Sequence, residues 1–165
     1  MMIGVISDTH VSCAAEKLPP AIIARFRSEK VGLILHAGDI GDVSVLDALS
    51  EIAAVRAVAG NADTVPVREK LPAKLVEEVD GVRIGLVHGN GPPMRLGERL
   101  LPLFEGDNIR VLVHGHAHMP VNCEHEGVLL FNPGCPFVNR DGSRGTFGLL
   151  IVQDGNVHGE IIEVT

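Results

Sequence analysis

Short runs of Val, Ile and Leu, each closed by a glycine or a polar residue, recur along the chain and alternate with segments of helical period. MIGVIS (2–7), VGLILHAG (31–38), AVRAVAG (54–60) and VRIGLVHG (82–89) have the length and continuous apolar character of strands buried on both faces. Between and after them, PPAIIARFRSE (19–29, opened by proline), VSVLDALSEI (43–52) and MRLGERLLPLFE (94–105) predict helices. Strands that leave neither face to water need cover on both sides, so this rhythm predicts an α/β protein. From residue 110 the character changes. RVLVHGH, PVNCEHE, VLLFNPG, TFGLLIVQ and VHGEIIEVT follow one another with turns such as QDGN between them, which predicts hairpins and an antiparallel continuation of the sheet.

No repeat, low-complexity tract or linker interrupts the 165 residues, which suit a single domain over 1–165. A chain of that size buries roughly 68–70% of its unfolded surface. A formal charge of −7 without any Lys/Arg cluster argues against broad binding to nucleic acid or anionic lipid. The absence of Trp and Tyr removes an aromatic platform for bases. No apolar run approaches the roughly 18 residues that cross a bilayer, and the first residues carry no basic leader, so a soluble, cytoplasmic protein is expected. Cys13, Cys123 and Cys135 form no CxxC pair and are expected as reduced thiols.

The polar residues fall at one place in each unit. Asp8 and His10 follow the first strand, Asp39 the second, Asn61 and Asp63 the third; His88 follows the fourth, and HGHAH (114–118) ends the next. Ligands of α/β sheets gather beyond the carboxyl ends of the strands, so five strands deliver metal-capable side chains to one end. On an extended segment residues i and i+2 share a face, which would put His114, His116 and His118 on one side. Carboxylate, amide and imidazole donors without thiolate suit Mn²⁺, Fe or Zn²⁺. Seven such side chains exceed what one ion needs, and two ions about 3.5–4 Å apart, sharing a carboxylate, would use them all.

The ordered set Asp8-x-His10, Gly38-Asp39, Gly60-Asn61, His88-Gly89, Gly115-His116-x-His118 resembles the calcineurin-like metallophosphoesterase family across nearly the whole chain. The block GNAD (60–63) and the turn NPG (132–134) look most like its small single-domain phosphodiesterase branch. The resemblance implies a four-layer α/β/β/α sandwich of two mixed β-sheets flanked by helices. It implies Asp8, His10 and His118 around one divalent ion, Asn61, His88 and His116 around a second, and Asp39 bridging them. Mn²⁺ is the first choice, with Fe, Zn²⁺, Ni²⁺ or Co²⁺ as alternatives. The implied reaction is hydrolysis of a small phosphodiester by a hydroxide held between the ions, with no covalent intermediate. A phosphomonoesterase of the same fold and a non-catalytic scaffold like the retromer subunit are the alternatives, and a homo-oligomer is compatible with all three.

Protein phosphatases of the family carry a histidine after the Asn of the third block and an arginine shortly after the Asp of the second, where this chain has Ala62 and Val43. The acid that would assist a leaving group is therefore missing, which favours diesters over monoesters. His116, Asn61 and Asp63 remain as catalytic candidates. Asp63 is equally a loop-forming residue, and Asp42 or Ser44 a helix cap. Asn90 and Arg95, after His88, are the candidate substrate contacts. His114 is a candidate supporting group for the centre, His36 the end of a buried strand, and Cys135 a small buried thiol beside the site. His125 and His158 fall in hairpins away from the motifs.

Overall fold

The computed structural model describes residues 1–11, 18–138 and 142–165; Cys13 lies outside the described residues. The first half runs β1 (Met2–Ile6), α1 (Pro20–Ser28), β2 (Leu33–His36), α2 (Ser44–Ser50), β3 (Ala54–Ala57), α3 (Val65–Lys70), β4 (Lys74–Val79) and β5 (Val82–Val87). The second half runs α4 (Leu96–Leu100), a 3-10 turn (Leu101–Phe104), β6 (Val111–His114), β7 (Val121–His125), β8 (Val128–Asn132), β9 (Thr146–Gln153) and β10 (Asn156–Glu163).

The strands form two mixed five-stranded sheets, ordered β10-β9-β1-β2-β3 and β4-β5-β6-β8-β7. Ile3, Val5, Leu33, Leu35 and Leu150 of one sheet pack on Ile84, Leu86, Val111, Val113 and Phe131 of the other. The opposite face of the first sheet meets Ile22 and Phe26 of α1 and Val45 and Leu49 of α2. On the second sheet, Leu112 and Leu130 meet Leu96, Leu100 and Phe104. Both faces of the central strands are thereby covered, and the continuous apolar runs of the sequence become a four-layer α/β/β/α sandwich.

Three local readings are corrected. β6 lies between β5 and β8 and is parallel to both, so antiparallel pairing in the second half is confined to β7–β8, β9–β10 and β9 against β1. The helix expected over 94–105 begins at Leu96 and changes to 3-10 geometry at Leu101, because Pro102 has no amide hydrogen to continue an α-helix. Residues 65–79, which carry no element in the sequence reading, form α3 and β4.

Candidate metal centre

The carboxyl ends of β1, β2, β3, β5 and β6 open onto one place, where both sheets contribute. The loops after β1 and β2 run side by side: the Asp8 N–H donates to the Gly38 carbonyl at 3.0 Å, His10 to Asp39 at 3.0 Å, and Val11 to Ile40 at 3.2 Å. His36 ties them further. Its Nδ1 accepts from the Gly38 N–H at 3.2 Å, so Nε2 carries the proton and donates to Thr9 Oγ1 at 3.0 Å; that hydroxyl donates to the Ile40 carbonyl at 2.9 Å. Burial pushes the His36 pKa down to about 3, so the ring stays neutral and keeps this tautomer.

Asp63 turns its carboxylate to the backbone. Oδ1 accepts from Ile40 at 2.7 Å and Gly41 at 2.9 Å, and Oδ2 from Asp39 at 3.1 Å and Gly60 at 2.7 Å. These bonds pin the β2 loop to the β3 loop. A methyl group on Gly60 would run into the Asp39 carboxylate, and one on Gly115 into Ser7, so only glycine lets these loops approach so closely.

Inside that frame the donors converge. His118 Nε2 lies 3.3 Å from Asp8 Oδ1 and 3.2 Å from His10 Nε2, whose distance to Asp39 Oδ2 is 3.7 Å. His88 Nε2 lies 3.2 Å from Asp39 Oδ2, 4.0 Å from Asp8 Oδ1 and 3.2 Å from Asn61 Oδ1. His116 Nδ1 approaches the same Asn61 oxygen at 2.9 Å. Two groups result, Asp8–His10–His118 and Asp8–Asp39–His88, with Asn61 and His116 on the far side of the second. Asp8 Oδ1 belongs to both groups, whereas Asp39 belongs to the second and lies 3.7 Å from His10 of the first.

The donor chemistry calls for a cation. His88 Nδ1 lies 2.7 Å from the Ala37 carbonyl, which fixes the proton there and turns the Nε2 lone pair of the neutral ring onto carboxylate and amide oxygens. An array of acceptors alone is unfavourable when buried; a proton or a metal ion between them resolves it. Burial lowers the His88 pKa, but the Asp39 hydrogen bond and the Asp8 and Asp39 charges outweigh it and raise the value. Burial raises the Asp39 carboxyl, and the bond and charge of His88 reverse that and hold it below the usual carboxylate range. His118 is raised chiefly by its hydrogen bond to Asp8. Each shift records the demand for positive charge at this spot, and the seven oxygen and imidazole donors fit a hard or borderline divalent ion.

Backbone strain accompanies the convergence. Asp8 (φ 54°), His10 (φ 45°), Asp39 (φ 54°), His116 (φ 68°) and His118 (φ 54°) all adopt the left-handed conformation, at a cost of about 1–3 kcal/mol each. The alternation expected of His114, His116 and His118 therefore fails: β6 ends at His114, and the chain turns. His114 is buried 3.3 Å from the Asn132 amide, burial brings its pKa to about 4, and its Nε2 faces Gly97 rather than the centre. Arg95 also lies apart. Its side chain is 71% exposed and its guanidinium is bound to Glu98. Asn90 lines a cavity together with Asn61, His88 and Arg68 of α3, the last a residue missed because its helix was missed. Thr64 ahead of Pro66 in the first turn was the available start signal. Cys135 is buried and donates to the Asp8 carbonyl at 3.3 Å, and Asp42 Oδ1 accepts from the Ser44 N–H at 2.9 Å as a local turn. His125 reaches toward Glu98, and His158 is exposed on β10.

Residues 1–155 match the model of the calcineurin-like phosphoesterase superfamily domain. A probable metallophosphoesterase of Methanocaldococcus jannaschii is 41% identical over 142 residues, 85% of this chain and 70% of that protein. Phosphodiesterase YfcE of Escherichia coli is 32% identical over 117 residues, 64% of this chain and 58% of its own. Among solved structures, a single mutant of Vps29 from Entamoeba histolytica covers the whole of both chains with a TM-score of 0.79 at 24% identity, a likeness of fold.

Proposed function

The chain belongs to the calcineurin-like phosphoesterase superfamily, and from that premise we propose that it hydrolyses a small phosphodiester with two divalent ions. Asp8, His10 and His118 would hold one ion, Asn61, His88 and His116 the other, with Asp39 and Asp8 between them. Mn²⁺ suits the donor set best. When bound, such ions neutralise charge on the phosphoryl oxygens and activate water for in-line attack. The chain's own part is to hold that array in place. His88 is oriented through Nδ1 on Ala37, the β2 and β3 loops are fixed by Asp63 and His36, and Asn61 and His116 meet at the rim. Asp63, spent on backbone amides, is a positioning residue and not a catalytic one.

The observation that favours a diester is Ala62. Its N–H donates to Asp39 Oδ1 at 2.7 Å and its side chain is a methyl group, so the position supplies no proton to a leaving group. General-acid help is worth about 10²–10⁴-fold, and its lack weighs most on monoesters with poor leaving groups. The similarity to a phosphodiesterase of Escherichia coli supports the same reading. A single domain working in the cytoplasm, with Cys123 and Cys135 as free thiols, completes it. The test is kcat/KM of Mn²⁺-loaded protein for bis-(4-nitrophenyl) phosphate and 4-nitrophenyl phosphate, alongside an alkyl diester and an alkyl monoester. The diesters are expected to be preferred, and a tenfold preference for the monoester in both pairs overturns the reading in favour of a phosphomonoesterase. The scaffold alternative has fold likeness behind it, and it predicts no turnover of any ester.

A further inference from the structure

A cavity of about 390 Å³ opens beside the centre, and Asn61 and His88 form part of its wall. Its volume is that of a small-molecule site. Leu71, Ala73, Val87 and Leu100 give it an apolar lining, and Asn90 adds one neutral polar group. The cationic group in the lining is Arg68. In a chain of net charge −7, Arg25, Arg56, Arg95 and Arg144 each have a carboxylate partner. Among the described residues Arg68, like Arg27, Arg83, Arg99 and Arg110, has none; Arg68 is exposed and is the one of these five that lines the cavity. An arginine left unpaired at the wall of an apolar cavity, in a molecule rich in carboxylates, is set to receive an anion from outside, for which its planar fork is suited.

Asn61 and His88 belong both to the centre and to the cavity wall, so a group seated in the cavity would lie beside a phosphorus held at the centre. The Arg95 expected from sequence cannot serve this role, because its guanidinium is taken by Glu98 and it does not line the cavity. We propose that the cavity binds one ester arm of the substrate, that this arm is an apolar body ending in an acidic group, and that Arg68 selects it. The substrate class is then a phosphodiester with a second anionic centre. This rests on the phosphodiester reading above.

The experiment uses Mn²⁺-loaded protein and 4-nitrophenyl diesters whose second arm is phenyl, 4-carboxyphenyl, 4-(phosphonomethyl)phenyl or 4-(aminomethyl)phenyl. Wild type is expected to favour an anionic arm over phenyl by about tenfold in kcat/KM, the scale of one charge-assisted hydrogen bond, with the gain in KM rather than kcat. The two anionic arms tell whether a carboxylate or a phosphate-like group fits. In Arg68→Met that ratio should fall to near one; in Arg68→Glu it should invert, with the aminomethyl arm now preferred; Arg68→Lys should keep part of it. The same arms carried on methylphosphonate monoesters give binding constants by calorimetry independent of turnover. Equal binding and turnover of phenyl and anionic arms by wild type, or a ratio unmoved in Arg68→Glu, overturns the proposal while leaving diester hydrolysis intact. Absence of diester turnover with the arm preference retained in binding sinks the phosphodiesterase reading and leaves the cavity assignment standing.

Discussion

The two sides of the centre are built differently. Asp8, Asp39 and His88 are buried, with side chains only 0–4% exposed; the loops of Asp8 and Asp39 are fastened by backbone hydrogen bonds and by His36 or Asp63, and His88 by its Nδ1 on the Ala37 carbonyl and by the Gly115 N–H on its own carbonyl. His10 and His118 have side chains 39% and 42% exposed and meet mainly each other and Asp8. The buried side is organised by the protein's own hydrogen bonds. The exposed side brings two imidazole nitrogens to 3.2 Å with the rings tilted by 44°, an arrangement that a shared cation would stabilise. Order on one side comes from the protein; on the other it would come from a bound cation.

The contrast breaks most visibly in metal content and rate. Asp39→Ala removes a carboxylate from the middle of the array and should lose both ions, with kcat/KM down at least about 10³-fold, the scale of losing preorganised electrostatic stabilisation. His118→Ala removes a donor of the first group alone and should lose one ion while keeping the other. Elemental analysis of the metal-saturated proteins checks both, and an Asp39→Ala variant that still holds two ions would refute the shared role.

Stability sharpens the comparison next. Asp63→Ala leaves four amides without their acceptor, three of them buried, at about 1–3 kcal/mol for each that water cannot reach. A loss of about 4 kcal/mol or more is expected in the metal-free protein, seen as a Tm lower by roughly 10 °C. His118→Ala in the same metal-free state should move Tm by little. If the two variants melt alike, the buried side is not organised by these hydrogen bonds.

What could be read from sequence follows the same division. The convergence of Asp8, His10, Asp39, Asn61, His88, His116 and His118 at one place is legible because strands expose their carboxyl ends in a rule-bound way, whatever sheet they join. That these strands belong to two sheets meeting face to face was legible only through the family resemblance. The left-handed backbone at Asp8, His10, Asp39, His116 and His118 was not legible, since these are not glycines and tertiary contacts offset the strain. Without it, spacing alone grouped His114 with its neighbours. Arg95 was nominated by closeness in sequence to His88, whereas Arg68 reaches the cavity through a short helix whose pattern is too brief to show periodicity.

The smallest expected effect concerns pH and separates the frame from the ions. His36 is neutral in the fold, with its pKa brought to about 3 by burial, against an unfolded value near 6.5. Between those values the unfolded chain binds a proton that the folded one refuses, so stability rises with pH there. The contribution of the neutral ring is complete above pH 6.5 and is lost progressively as pH falls toward 3. His36→Gln keeps a side chain able to accept from Gly38 and donate to Thr9 but removes the titration. Urea unfolding of the chelator-treated proteins across pH 4 to 7 should show the wild-type midpoint falling more steeply than that of the variant, by up to a few kcal/mol at the acid end. Parallel curves would mean that His36 takes up its proton without leaving the network, and that the loops carrying Asp8 and Asp39 are held by Asp63 and the backbone alone.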